Sequence, residues 1–370
     1  MLKKILPALL IVVSLCGASW ADIIYATSDG KLGIITVSTS SDILEPFVEY
    51  ESGITDPYLL SYWNGTASSV MLIQNNATAS GDRAYTFSAS DLSVLRSSRD
   101  INGVFGGTNA DYSDNGRSIY LSSGANIFEV STSDFSIVHS YDCNRILSRD
   151  GEVTEVESLA LDYSTVNVII SAGDARRYAR FDGQLKEGVT YFMSRDIEAG
   201  SSYIDIVNDV VLISHSSGVS GRNFRNEFAK ILSTDNPVVA TCGDDERGFY
   251  YAERTSADNE YIFTLSNSAN SSTTTKFDPV DIPSAEPYIS LMREETKNLL
   301  AVMTAEGIRI YDIETGILLQ NFGTSILGGK PVGIGTASAK GSSSSSSSGC
   351  NSLGASMIML MLIGALMKRK

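Results

Sequence analysis

A strand–turn–strand unit recurs through this sequence at a spacing of roughly forty-five residues, and that repeat constrains the fold more than any other feature. It is visible at 33–44 (GIITVSTSSDIL), 84–95 (AYTFSASDLSVL), 126–138 (NIFEVSTSDFSIV), 228–239 (FAKILSTDNPVV) and 308–319 (IRIYDIETGILL). In each, an alternating apolar run enters a Ser/Thr/Asp turn and leaves as a second alternating run, the period of a half-buried strand. The turns are anchored at Ser41, Asp91, Asp134, Asp235 and Gly316, with weaker versions at Gly183 and Asp278. Seven anchors at this period predict an all-β, seven-bladed β-propeller, each blade a four-stranded sheet.

The other half of a blade is legible too. DYSDNGRSIYLSSG (111–124) reads as strand, tight turn, strand, because Asn115-Gly116 supplies the positive φ that a short hairpin demands. Looser counterparts occur at 159–172, 252–265 and 291–304, and small-residue turns at Ser28-Asp29-Gly30, Ser123-Gly124 and Glu306-Gly307 lead into third strands. The body opens at DIIYATSDGKLGIITV, which matches the second and third strands of a blade. The missing inner strand is expected from KPVGIGTAS (330–338), so that strands from both ends close the ring and pair its open edge.

The turn SDNGRSIYLSS (113–123) resembles the S-P-D-G-K-x-x-Y repeat of lactonase-like and surface-layer seven-bladed propellers, a WD40/YVTN-like class. That resemblance implies a fold, and the fold hosts many functions.

Outside the body, MLKKILPALLIVVSLCGASWA has the physics of an N-terminal signal helix. Lys3 and Lys4 precede a short apolar core, and Ser19-Trp20-Ala21 is a small-x-small site, so cleavage between Ala21 and Asp22 is expected. A lipid-acceptor role for Cys16 is disfavoured by the bulky Leu15 before it. The far end combines a Ser-rich linker, Gly349-Cys350, an apolar stretch and Lys368-Arg369-Lys370. That order resembles the C-terminal sorting tails of exported bacterial proteins, the Synerg-CTERM kind above all. The resemblance implies a membrane-spanning sorting helix, recognition by a membrane sorting protease near Gly349 and Cys350, and transfer to the cell surface. The expected organisation is therefore 1–21 signal peptide, 22–338 propeller, 339–350 linker and sorting motif, and 351–370 hydrophobic helix and basic tail.

Charge narrows the partners. Five of the 28 Lys/Arg residues and none of the 43 Asp/Glu residues lie in 1–21 and 341–370, so the body between carries 23 basic against 43 acidic residues, a net charge of −20. Such a surface repels phosphate backbones and anionic membrane, which excludes nucleic acid as a partner and suits an exported, soluble body.

No catalytic constellation stands out. The histidines are His139 and His215, more than a blade apart, and three or four closely spaced zinc ligands are lacking. Ser28-x-x-Lys31 and Ser113-Asp114-Asn115 imitate penicillin-binding signatures without the K-T-G strand, and Gly333-Ile334-Gly335 lacks the third glycine of a dinucleotide loop. Acidic runs at 148–157 (Asp150, Glu152, Glu155, Glu157) and 242–248 (Asp244, Asp245, Glu246) lack EF-hand spacing. No cofactor is expected from them, calcium being the one ion they could attract. Cys143 and Cys242 sit two repeats apart, too far for an expected disulfide. Trp63, Tyr250 and Tyr251 are the aromatic candidates for a ligand face.

The leading expectation is a surface-displayed, non-enzymatic propeller that binds a protein or glycan of the cell envelope, with the export machinery and the sorting protease as further partners. The alternative is a lactonase-like hydrolase with a metal or acidic centre on the propeller axis.

Overall fold

The computed structural model describes residues 21–336 apart from 38–43, 52–53, 55–56, 65–67, 89–91, 93–94, 114–115, 147–151, 163–164, 173–174, 183–190, 198–200, 202, 208–209, 223–227, 245–247, 258–259, 268–276, 278–279, 283–288 and 295–297. The chain is almost all strand. Strands β1 (Ala21–Thr27), β2 (Lys31–Val37) and β3 (Leu44–Glu51) belong to sheet 1. Sheet 2 follows with β4 (Pro57–Asn64), β5 (Ser68–Thr78), β6 (Gly81–Ser88) and β7 (Leu95–Asn102). Sheet 3 contains β8 (Asn109–Tyr112), β9 (Ser118–Ser123), β10 (Asn126–Ser131) and β11 (Ile137–Asp142), after which comes a single helical turn, α1 (Cys143–Ile146). Sheet 4 is β12 (Val153–Asp162), β13 (Thr165–Ala172), β14 (Ala175–Asp182) and β15 (Tyr191–Asp196). Sheet 5 is β16 (Tyr203–Val207), β17 (Val210–His215), β18 (Gly218–Arg222) and β19 (Phe228–Ser233). Sheet 6 is β20 (Val238–Asp244), β21 (Gly248–Ala257), β22 (Glu260–Asn267) and β23 (Val280–Ile282). Sheet 7 is β24 (Ile289–Glu294), β25 (Leu299–Thr304), β26 (Gly307–Asp312) and β27 (Leu318–Gly323), followed by the turn α2 (Thr324–Leu327).

The last described strand, β28 (Pro331–Thr336), returns to sheet 1. It pairs antiparallel with β1, from Ile23↔Thr336 to Thr27↔Pro331, and gives the order β28-β1-β2-β3. The segment expected to supply the missing first strand therefore does so. Every pairing within the seven described sheets joins sequence neighbours except this one.

The burial pattern explains why each sheet is layered this way. Second strands are the most buried, as in LLAVMT of β25, where all six residues are buried. Fourth strands alternate, as in β11 and β27, whose exposed residues include Val138 and Leu319. Each apolar cluster draws on two consecutive sheets. Leu121 and Val130 of sheet 3 meet Met71 and Ile73 of sheet 2. Tyr178 of sheet 4 meets Ile204 and Ile213 of sheet 5. Ile23, Tyr25 and Ile35 of sheet 1 meet Ala301, Ile308 and Ile310 of sheet 7. Thus the last sheet packs on the first.

Third strands start with a recurrent glycine. Gly81, Gly218 and Gly307 have φ of +150°, +140° and +149°, and a Cβ at each would collide with the carbonyl of Ile101, Leu232 or Phe322 on the fourth strand. Only glycine permits that backbone conformation with so close an approach.

One anchor needs correction. Asp134 and Gly316 lie between third and fourth strands, but Asp235 lies between β19 and β20, in the connection from sheet 5 to sheet 6. Its Ser-Thr-Asp-Asn turn has the chemistry of a hairpin, with Thr234 Oγ1 donating to Asn236 O at 2.7 Å. Turn chemistry is local and does not distinguish a connection within a sheet from one between sheets. As a consequence 252–265 is a second-to-third hairpin, and Tyr250 and Tyr251 belong to a second strand. Ser41, Asp91, Gly183, Asp278 and Asn115 lie outside the described residues, as do the signal segment 1–20 and the tail 337–370.

Candidate functional site

The first strands of the sheets touch one another in the cyclic order β28, β4, β8, β12, β16, β20, β24 and back to β28. Side chains on these strands are therefore the ones a central site can use. Three successive strands also carry an acceptor that takes a backbone N–H from the next. Asp111 Oδ2 on β8 accepts from Leu161 N on β12 at 2.9 Å. Ser158 Oγ on β12 accepts from Ile204 N on β16 at 3.1 Å. Asp205 Oδ2 on β16 accepts from Gly243 N on β20 at 3.0 Å. Cys242 on β20 lies beside the Arg293 backbone of β24. The second oxygens of Asp111 and Asp205 accept from Tyr112 N and Ile206 N, each at 2.8 Å.

Ionisable groups crowd the same strands. Burial pushes the Tyr203 phenol well above its ordinary value, and Asp205, Cys242 and Asp111 add to that rise. Burial also pushes up the Cys242 thiol, reinforced by Asp205 and Asp244 and opposed by the Arg293 backbone and guanidinium. Tyr203 and Cys242 are both half-buried.

Beside them lies a buried ion pair. Arg293 Nη1 sits 2.6 Å from Asp244 Oδ1, and the two side chains are 9% and 0% exposed. Tyr250 Oη donates to Asp244 Oδ2 at 2.8 Å. Arg293 Nε has no hydrogen-bond partner among the described residues. The arrangement offers carboxylates, neutral donors and one guanidinium within a small region, the elements needed to activate water and stabilise a developing oxyanion.

The sequence candidates fall elsewhere. Tyr250 and Tyr251 are 0% and 4% exposed; Tyr250 packs edge-on against Phe277, and Tyr251 against Phe249. As placed, both belong to the packing between sheets. Trp63 lies on β4 opposite Ser69. Ala21 and Asp22 open β1, while Gly349 and Cys350 lie outside the described residues. His215 is buried, with Nε2 3.1 Å from Ser220 Oγ and Nδ1 3.3 Å from Ser217 N, whereas His139 is half-buried with Nε2 3.9 Å from Glu129. Cys143 and Cys242 are both free thiols.

Of the acidic runs, Asp244 is in the ion pair, and Glu157 pairs with Arg176 at 2.9 Å. Glu152 and Glu155 are exposed, while Asp150, Asp245 and Glu246 lie outside the described residues. Among the described residues no group of three or more His, Cys, Asp or Glu side chains could hold a metal ion, and no helix is long and apolar enough to cross a membrane.

Asp111, Asp205, Tyr203 and Arg293 were missed in the sequence. A signal existed: Asp205 is a lone carboxylate in the apolar strand YIDIV, where a charge needs a partner.

Neither a known family model nor a curated protein matches the sequence. Solved structures do. The periplasmic gluconolactonase of Pseudomonas aeruginosa superposes with a TM-score of 0.63 at 12% identity, over 86% of this chain and 99% of that one. A candidate 6-phosphogluconolactonase from Bacteroides fragilis gives 0.62 at 12%, over 86% and 98%. A protein from Lactobacillus plantarum gives 0.60 at 11%, over 86% and 99%. At this identity the likeness shows the fold alone, an all-β fold of the lactonase-like propeller kind.

Proposed function

We propose that this chain is an exported seven-bladed propeller, closed by strands from both ends, that hydrolyses a lactone at its central first strands. The observation that carries this reading is the gathering of Asp111, Tyr203, Asp205, Cys242 and Arg293 on strands that meet around the ring. The gluconolactonase names of two fold relatives agree with it, and one of those relatives is periplasmic. These considerations favour the hydrolase over the non-enzymatic binder that export and composition alone suggest.

In this proposal a water is deprotonated toward Asp205, the better placed carboxylate because its strand also carries Tyr203. The water attacks the lactone carbonyl, and the protonated Tyr203 phenol and the Cys242 thiol donate to the oxygen that gains charge. The tetrahedral intermediate then collapses with breakage of the ring C–O bond, and the leaving alkoxide takes the proton held on Asp205, giving the hydroxy acid. The Arg293 guanidinium favours the carboxylate product. Export and display follow from the two terminal segments, with Ala21–Asp22 and Gly349-Cys350 as processing points and the C-terminal helix as a membrane anchor before processing.

The test is to follow acid release from glucono-δ-lactone and 6-phosphogluconolactone with the purified 22–340 chain at pH 6.5. Opening well above the spontaneous rate supports the proposal. A rate equal to the spontaneous one for both lactones overturns it and returns the chain to protein or glycan binding.

A further inference from the structure

We infer that removal of the leader and closure of the ring are ordered: the Ala21–Asp22 bond is cut while the chain is open and protected once β28 has paired. The inference rests on the export part of the proposed function and is independent of the hydrolase part.

The scissile bond lies inside β1 and not in a free segment ahead of it. Ala21 pairs with Val37 and Asp22 with Thr36 on the β2 side. The next residue, Ile23, is held on both sides, opposite Ile35 and opposite Thr336. Its side chain is 0% exposed and that of Ile24 1% exposed. Ile23 packs with Ile35, Ile308 and Ile310 in the cluster shared with sheet 7.

An endopeptidase binds its substrate as an extended strand, which uses the same main-chain groups that a sheet ladder uses. Fraying of Ala21 and Asp22 alone leaves one free residue after the bond. To present more, the chain must pull Ile23 out of two ladders and out of the core between sheets 1 and 7. Cleavage itself is simple hydrolysis. Water adds across the amide, leaving a carboxylate on Ala21 and an α-ammonium on Asp22.

The order of synthesis gives this protection a clock. The partner that closes the second side of β1 is Pro331–Thr336, the last described strand of the chain. In a chain exported N-terminus first, Ala21–Asp22 emerges early and β28 late. The leader can be removed throughout that interval, and the window shuts when sheet 1 acquires its first strand. A precursor that closes before cleavage keeps its leader.

The experiment uses the full chain with its leader in detergent micelles and a purified leader peptidase, with products read by mass spectrometry. One arm is the folded precursor, the second is the same precursor held open in a urea concentration the peptidase tolerates, and the third lacks 331–336. The open arms should be cut between Ala21 and Asp22 at least tenfold faster than the folded arm. Equal rates in folded and open chains overturn the inference. Failure of all three arms to be cut at that bond also overturns it, by removing its premise, and leaves the lactone assay untouched.

Discussion

The interface between sheets 6 and 7 and the interface between sheets 7 and 1 each hold an apolar cluster, and the first adds buried charge to it. At the first, Asp244, Arg293 and Tyr250 form a buried ionic cluster. At the second, Ile23, Ile35, Ala301, Ile308, Ile310 and Phe322 make an apolar contact, and Tyr25 Oη is buried with no hydrogen-bond partner among the described residues. A contact made of apolar side chains does not depend on charge state or on exact polar geometry, so it can form last and between distant parts of the chain. The ionic interface joins neighbours in sequence and serves to position groups, at the expense of desolvating charge.

The comparison breaks most completely if the closing strand is removed. Deleting 331–336 takes away one side of β1 and leaves Ile23 and Tyr25 without their cover, so cooperative thermal unfolding should disappear in calorimetry. A deletion variant that still unfolds cooperatively would mean that sheet 1 is stable with three strands.

Next in size is Arg293→Met. It strands the buried Asp244 carboxylate, a loss of about 3–5 kcal/mol for a broken buried pair. Urea unfolding should show it, and a second change, Asp244→Asn, should recover part of the loss. If the single and double variants are equally unstable, the pair is not what holds sheets 6 and 7 in register.

Gly33→Ala probes the closure side. A Cβ on Gly33 would run into the Tyr25 ring, which is itself fully buried. Overpacking of this kind costs roughly 1–3 kcal/mol. The same change in a Tyr25→Ala background should cost much less.

The smallest effect has the opposite sign. Tyr25→Phe removes an unpartnered buried hydroxyl and should stabilise the fold by about 1 kcal/mol in urea unfolding. It also alters the alkaline limb of stability. Burial raises the Tyr25 phenol from 10.0 to about 12, so between those values the unfolded chain releases a proton that the folded chain keeps. Stability therefore falls as pH rises through that window. Cys143, raised by burial from 9.0 to about 12, adds to the same fall. In Tyr25→Phe the decline should be shallower but still present; an unchanged slope would place the phenol in contact with water.

Much of the fold was legible because its determinants are local. The alternation in SIYLSS and NIFEVS, the Gly at third-strand starts and the truncated first unit at Asp22 each report a nearby backbone requirement. The one misplaced anchor, Asp235, shows the limit, since the same turn serves within and between sheets. The candidate site was far less legible. Asp111 acts on Leu161 and Asp205 on Gly243, contacts 50 and 38 residues apart that exist only once the strands stand side by side. Aromatic residues drew attention in the sequence, yet Tyr250 and Tyr251 are consumed by packing.

The most direct test of the account is the rate of glucono-δ-lactone opening by the wild-type chain and by Asp205→Asn, with Tyr25→Phe as the control for packing at a distance. Asparagine keeps an acceptor for Gly243 N but removes the base and the second acceptor, which takes Ile206 N. The account predicts acceleration by the wild type and by Tyr25→Phe, and a loss of at least a hundredfold in kcat for Asp205→Asn assayed well below that variant's own melting temperature. Equal acceleration by all three proteins would contradict it.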